Sequence, residues 1–335
     1  MPEAFLHKNK PLAVVVGIIL TVLMHIGNFI VPVPPSPNMG PLYTLMQVDA
    51  WPLVLQTTAC ILLVILCGAL LDVIVSRFNF LGTISGYPVI FFGIFASLHP
   101  VMGTMGPGLA ALLFIILGIF AFMVNFGQSH GQFSAWASGV CFAFASLLYT
   151  PFILFIPFAV TSMVALKPAR WREYAAQFLG FGLPYGMFYS ILYLADVPFP
   201  AWDKPGYADI LKFIHGFSFS WGFWLAAITC FVFLNIALLN IFRTFNTYKI
   251  ITRRFFTIVI LIPAFLIPAS IWPQIPDTDV WWPVIIPFSA LMGRLFLDIK
   301  KPAFARLILI IFILVMLLAR FDYYFGSEFT FKLVN

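Results

Sequence analysis

Met105-Gly-Pro-Gly-Leu-Ala-Ala-Leu-Leu-Phe-Ile-Ile-Leu-Gly-Ile-Phe-Ala-Phe-Met-Val-Asn125 decides the fold. No charged residue interrupts it. Its length matches the roughly 20 apolar residues a helix needs to cross the hydrocarbon core. The apolar positions run continuously and do not alternate, which excludes a transmembrane β-strand.

Working outward, comparable runs cover 11–32, 52–74, 83–100, 134–150, 151–166, 174–196, 214–242, 255–273, 281–297 and 303–320. The pair 134–150 and 151–166 is short and divided by Pro151. It reads as two short spans, a re-entrant hairpin or one broken helix. The expected fold is therefore all-α, a polytopic integral membrane bundle of about ten or eleven transmembrane helices. Residues 1–335 form a single transmembrane domain with no soluble domain. Composition agrees. Apolar residues make up 62%, charged residues only 9%, and the mean hydropathy is +1.02. A soluble domain is about a quarter charged, and one this apolar would expose patches that soluble monomers avoid.

Charge placement orients the chain. The first run follows His7-Lys8-Asn9-Lys10 and is too long for a secretory h-region. Val31-Pro-Val-Pro-Pro-Ser-Pro37 offers no small-residue cleavage site, so the run is expected to stay as an anchor. With the N-terminus inside, fourteen of the eighteen Lys and Arg fall on inner loops. The exceptions are Lys204, Lys212, Arg320 and Lys332. This is the bias that sets topology, and it places the C-terminus outside. The net charge of +6 is accounted for by these loops, so no nucleic-acid partner is implied.

The outer loops are acidic and proline-rich. In the longest, 197–213, apolar Ile210, Leu211, Phe213 and Ile214 mix with Asp209 and Lys212. This reads as a short amphipathic helix lying in the interface. Trp51, Trp202, Trp272, Trp281 and Trp282 sit near outer span ends, as an aromatic belt does. Cys60, Cys67, Cys141 and Cys230 lie inside apolar runs without CxxC spacing. They read as small packing residues, so neither a metal site nor a cofactor is expected.

Polar groups inside spans are expensive and are functional candidates by default. His25 and Asn28, one turn apart on the first span, are candidates for a substrate path, with Asp203 and Asp209 on the long outer loop. Asp49, His99, Asp277 and Asp279 are candidate acid, base or cation-holding groups on the outer side. Each also has a plain structural reading: helix–helix hydrogen bonding for His25 and Asn28, a solvated loop for Asp277 and Asp279. Asp72 reads as hydrated or paired with Arg77. Gly182 and Gly186, spaced GxxxG around Pro184, read as a close-packed kink. Pro263 and Pro268 mark a kinked span facing the interior or a cavity. Asn235 and Asn240 read as packing glue between helices. There is no P-loop, dinucleotide fingerprint, HExxH or nucleophile elbow.

Three stretches taken in order carry a resemblance. They are Phe5-Leu-His-Lys-Asn-Lys-Pro-Leu12, Phe142-Ala-Phe-Ala-Ser-Leu-Leu-Tyr-Thr-Pro151 with Lys167-Pro-Ala-Arg-Trp-Arg-Glu-Tyr174, and Pro283-Val-Ile-Ile-Pro-Phe-Ser-Ala-Leu291 with Lys300-Lys-Pro-Ala-Phe-Ala-Arg306. This order resembles an uncharacterised multi-span inner-membrane family of the Bacteroidetes. That family implies a bacterial inner membrane, and the Lys and Arg bias then expects a cytoplasmic N-terminus and a periplasmic C-terminus. The middle stretch is also similar to extracellular-polysaccharide polymerases, with Tyr149 where those often carry His.

Three functions follow as expectations. The first is an enzyme of envelope polysaccharide or lipid-linked sugar assembly, acting in the membrane lipids on a lipid-linked sugar. The second is a transporter or permease for a small or lipidic solute. The third is a non-catalytic scaffold that holds a membrane protein partner.

Overall fold

The apolar runs fold as helices where hydropathy places them. The computed structural model describes residues 10–29, 39–82, 85–98, 105–125, 131–166, 170–198, 219–245, 248–271, 278–299, 302–325 and 330–331. In chain order the helices are α1 (Lys10–His25), α2 (Pro41–Met46), α3 (Leu53–Arg77), α4 (Tyr87–Ala96), α5 (Pro107–Asn125) and α6 (Gln132–Leu148). They continue as α7 (Phe155–Leu166), α8 (Trp171–Leu194), α9 (Trp221–Thr244), α10 (Ile250–Ile271), α11 (Ile285–Asp298) and α12 (Pro302–Phe325). Short 3-10 turns adjoin them at Ile26–Phe29, Val48–Ala50, Thr150–Leu154 and Asp279–Val284. Two-residue strands, β1 (Phe219–Ser220) and β2 (Thr330–Phe331), pair antiparallel. Among the described residues, seven helical segments are long and apolar enough to cross a membrane: Lys10–Phe29, Leu53–Arg77, Pro107–Val124, Gly222–Thr244, Ile250–Ile271, Asp279–Asp298 and Ala303–Arg320. The protein is a multi-pass membrane helix bundle. The proposed interfacial helix near 206–214 lies outside the described residues, as do Trp202 and Trp272.

α4 is the centre of the bundle. Every residue from Tyr87 to Ala96 is buried, as expected of a helix apolar all round. It packs between α1, α3 and α11. Rings interlock there: Phe91 lies 4.8 Å from Phe296, and Phe95 lies 4.9 Å from Phe288 and 5.6 Å from Phe312. In lipid, burial of apolar surface does not drive helices together, so such close van der Waals fits carry the association. Each aromatic pair adds about 0.5–1.5 kcal/mol.

The segment around Pro151 turns back on itself. Phe142 stands 5.8 Å from Phe155 and 6.1 Å from Phe158. Residues sixteen apart in one straight helix would be about 24 Å apart. The break is at Tyr149, whose backbone is extended at φ −137°, ψ 105°. Pro151 then opens the 3-10 turn, where its missing N–H does no harm.

Several expectations change. Gly182 and Gly186 make no close contact, since a Cβ at either would meet nothing within 4 Å. The tight seam between α6 and α8 is built instead on Gly139 and Gly180. A Cβ there would overlap the Gln177 and Trp136 carbonyl oxygens. Trp282 is not a belt residue: it is wholly buried. Asn240 does bond across helices, to Asp298 at 2.8 Å, but Asn235 bonds only its own helix at Phe231.

Alternating helix directions give the bundle two ends. One holds the starts of α1 and α10 and the ends of α3, α7 and α11, and we term it the charged end. Asp72 pairs there with Lys10 Nζ at 2.7 Å, and Lys10 also donates to Ser76 at 3.1 Å. This corrects the expected pairing with Arg77, whose guanidinium instead lies over the Phe120 ring. Arg294 bonds Asp298 one turn away, donates to the Leu81 carbonyl at 2.5 Å and covers the Tyr248 ring. Arg254 donates to the Ala165 carbonyl.

Candidate functional site

At the opposite end, the apolar run of α1 closes with Thr21, His25 and Asn28. Thr21 Oγ1 donates to the Gly17 carbonyl at 2.8 Å, and His25 Nδ1 lies 2.8 Å from the Thr21 carbonyl. The helix then tightens into the 3-10 turn, which carries Asn28 inward. Asn28 is 1% exposed and His25 is 0% exposed.

α4 ends beside it at Ser97. The Ser97 hydroxyl donates to the Gly93 carbonyl at 2.8 Å and lies 3.3 Å from His25 Nδ1. From α3, Thr57 Oγ1 donates to the Asn28 carbonyl at 3.4 Å.

Arg320, from α12, ties these helices together. Its Nε donates to the Ser97 carbonyl at 2.7 Å, and one terminal nitrogen donates to Asn28 Oδ1 at 2.7 Å. The side chain is only 3% exposed. A guanidinium has a rigid fork of donors and a charge that is never lost. Burying one where three helix ends meet needs compensating bonds, and ionic hydrogen bonds are the strong ones. The structure thus brings the two candidate path residues, His25 and Asn28, into one network with Ser97 and Arg320.

Asp279 lies in a second polar group at the same end. It is 4% exposed, which corrects the solvated-loop reading. Its Oδ2 accepts the Gly108 N–H at 3.2 Å and its Oδ1 accepts Trp282 Nε1 at 3.2 Å. Gly108 is in the first turn of α5, so the carboxylate caps that helix from a distant segment. Anions are favoured there by the unpaired amides and the helix dipole. Gly106 and Gly108 let the chain come this close, because a Cβ on Gly106 would lie 2.5 Å from Asp279 Oδ2.

Tyr43 donates to the Met105 carbonyl at 2.5 Å and braces the same corner. Burial first, then the charges of Asp49 and Asp279, push its hydroxyl upward, so it stays protonated and donating. Asp49 is exposed at the rim of this end. Its partial burial lifts its carboxyl above the usual value. Cys60, wholly buried, is within range of the charges of both Arg320 and Asp279. His99, Asp203, Asp209 and Asp277 lie outside the described residues. Among the described residues no three His, Cys, Asp or Glu side chains gather as a metal site would require.

With this geometry in hand, comparison with known proteins places the chain. A model of a family of unknown function, DUF6427, matches residues 42–326. The chain belongs to this family. No curated protein matches it. The family match takes in Thr57, Ser97, Asp279 and Arg320, whereas His25 and Asn28 precede it. The family is one of unknown function and brings no activity with it.

Arg320 is the residue that hydropathy reasoning missed. It was read only as an outer-side cation at the end of the last run, and its burial and its bonds to Ser97 and Asn28 were not foreseen. The signal was present in Leu317-Leu-Ala-Arg-Phe321, an arginine within an apolar run. Ser97 was overlooked for a different reason, since a serine near a span end carries no signal of its own.

Proposed function

We propose that the protein works in envelope polysaccharide or lipid-linked sugar assembly in a bacterial inner membrane, and that its polar end receives an anionic, lipid-borne head group. The observation that carries this reading is the buried Arg320, held at fixed orientation by oxygens of two other helices. A planar cationic fork suits phosphate and diphosphate. A site at this depth suits a substrate that arrives through the bilayer. Asp49, exposed at the rim, stands where an acid or base could meet the head group. His99 and Asp277 stay candidates on the adjoining segments. Asp279 belongs to the scaffold in this reading, since it caps α5. The excess of cations at the charged end supports a cytoplasmic placement for that end and a periplasmic one for the polar end.

A transport path lined by α1 and α10 has less support. α1 packs chiefly on α4 and α3, whereas α10 packs chiefly on α7 and the segment leading into α11.

The test is binding of a polyprenyl diphosphate carrying one N-acetylhexosamine to the full-length protein in nanodiscs, read by native mass spectrometry. Wild type is expected to retain this lipid over the neutral polyprenol. Arg320→Gln should weaken retention at least about tenfold, the scale of one lost ionic hydrogen bond. Equal retention by wild type and variant, or none by wild type, would overturn the reading.

A further inference from the structure

His25 ends α1 with one ring nitrogen committed and the other open. Nδ1 lies 2.8 Å from the Thr21 carbonyl oxygen, which can only accept, so Nδ1 carries the hydrogen. The neutral ring then presents a bare lone pair at Nε2. The residue is 0% exposed, and no group among the described residues reaches Nε2. Buried acceptors of this kind are nearly always met by a donor.

The neighbouring hydroxyls do not supply that donor. Each has one hydrogen, and each spends it on a backbone carbonyl: Thr21 on Gly17, Ser97 on Gly93, Thr57 on Asn28. Meanwhile Ser97 touches both sides of the site. Its carbonyl takes the Arg320 Nε–H at 2.7 Å, and its hydroxyl lies 3.3 Å from His25 Nδ1. A fixed cation and an open acceptor are thus held one residue apart. That pairing fits a group with anionic oxygens next to an O–H.

We propose that His25 Nε2 is a binding site for an O–H donor, supplied either by a hydroxyl of the bound head group or by an ordered water. The head-group source rests on the function proposed above; the water source does not.

The experiment is ¹⁵N-histidine NMR of the full chain in nanodiscs, with the His25 signal identified by its loss in His25→Gln. Spectra are taken in neutral lipid alone and with the polyprenyl diphosphate N-acetylhexosamine added. The expected result is a His25 ring protonated at Nδ1, with Nε2 unprotonated and hydrogen-bonded. An Nε2 signal that moves when the sugar lipid is added assigns the donor to the head group. A signal hydrogen-bonded in both samples and unmoved assigns it to water. A bare Nε2 in both samples, or a proton on Nε2, overturns the proposal.

Binding gives a second readout. His25→Leu removes the acceptor and should weaken sugar-lipid retention about tenfold if the head group is the donor, whereas His25→Gln keeps an acceptor and should stay within about threefold. If Arg320→Gln abolishes retention while Nε2 stays bare, this inference fails and the proposed function stands. If no sugar lipid is retained but Nε2 is hydrogen-bonded in neutral lipid, the proposed function fails and the site stands, filled by water.

Discussion

The two ends of the bundle handle charge in opposite ways. At the charged end, cations are held near the surface by partners close at hand. Lys10 is about one-third exposed (32%) while it pairs with Asp72, and Arg294 pairs with Asp298 one helical turn away. At the polar end, Arg320 is 3% exposed and is held by oxygens from α1 and α4. Water can replace much of what the first arrangement provides, but it cannot easily replace the second. The part-exposed cations of the charged end can exchange their partners for water at modest cost, whereas a buried, multiply bonded arginine is structural and a functional candidate.

Four substitutions grade that contrast. The largest effect is expected from Arg320→Leu, which takes the donor from two buried acceptors, Ser97 O and Asn28 Oδ1. It should cost about 3 kcal/mol, read as a drop in thermal midpoint of the purified protein. Asp279→Ala comes next. It removes the cap of α5 and the partner of the Trp282 ring nitrogen, and about 2 kcal/mol should be lost. Burial of Trp282, followed by its fluorescence maximum, should loosen in parallel.

Asp72→Asn should be milder, about 1 kcal/mol, because Lys10 is part-exposed and can turn to water while the buried amide oxygen can still accept from it. Smallest of all is Asp298→Gln, expected within about 0.5 kcal/mol, with the difference shrinking further in high salt. A charged-end substitution that matched Arg320→Leu in cost would break the comparison. A steady decline through the series would sharpen it.

The seam between α6 and α8 shows how legibility fails within one helix. The GxxxG pair Gly182 and Gly186 was the visible motif, yet it faces open space. Gly180, two residues earlier and unremarkable in sequence, meets the α6 backbone. A two-residue shift turns a position by about 200° around a helix, so the motif alone does not say which face meets a neighbour. Trp282 repeats the point. Its place near a span end suggested the interface, but the 3-10 turn before α11 rotates it into the core.

What the sequence determined by itself is the solvent and the secondary structure. Runs of about 20 apolar residues without charge can only be satisfied as helices in lipid, because every backbone polar group must be paired within the segment. The seven long spans, the shorter apolar helices and the break at Pro151 were readable for that reason. His25 and Asn28 were also legible, since any polar group in a span stands out against apolar neighbours. Their partners were not. Arg320 reaches Ser97 across 223 positions and Asn28 across 292, and no local pattern encodes which helix ends will meet. Only the tertiary structure decided that, because the packing around α4 brings the ends of α1, α4 and α12 to one place.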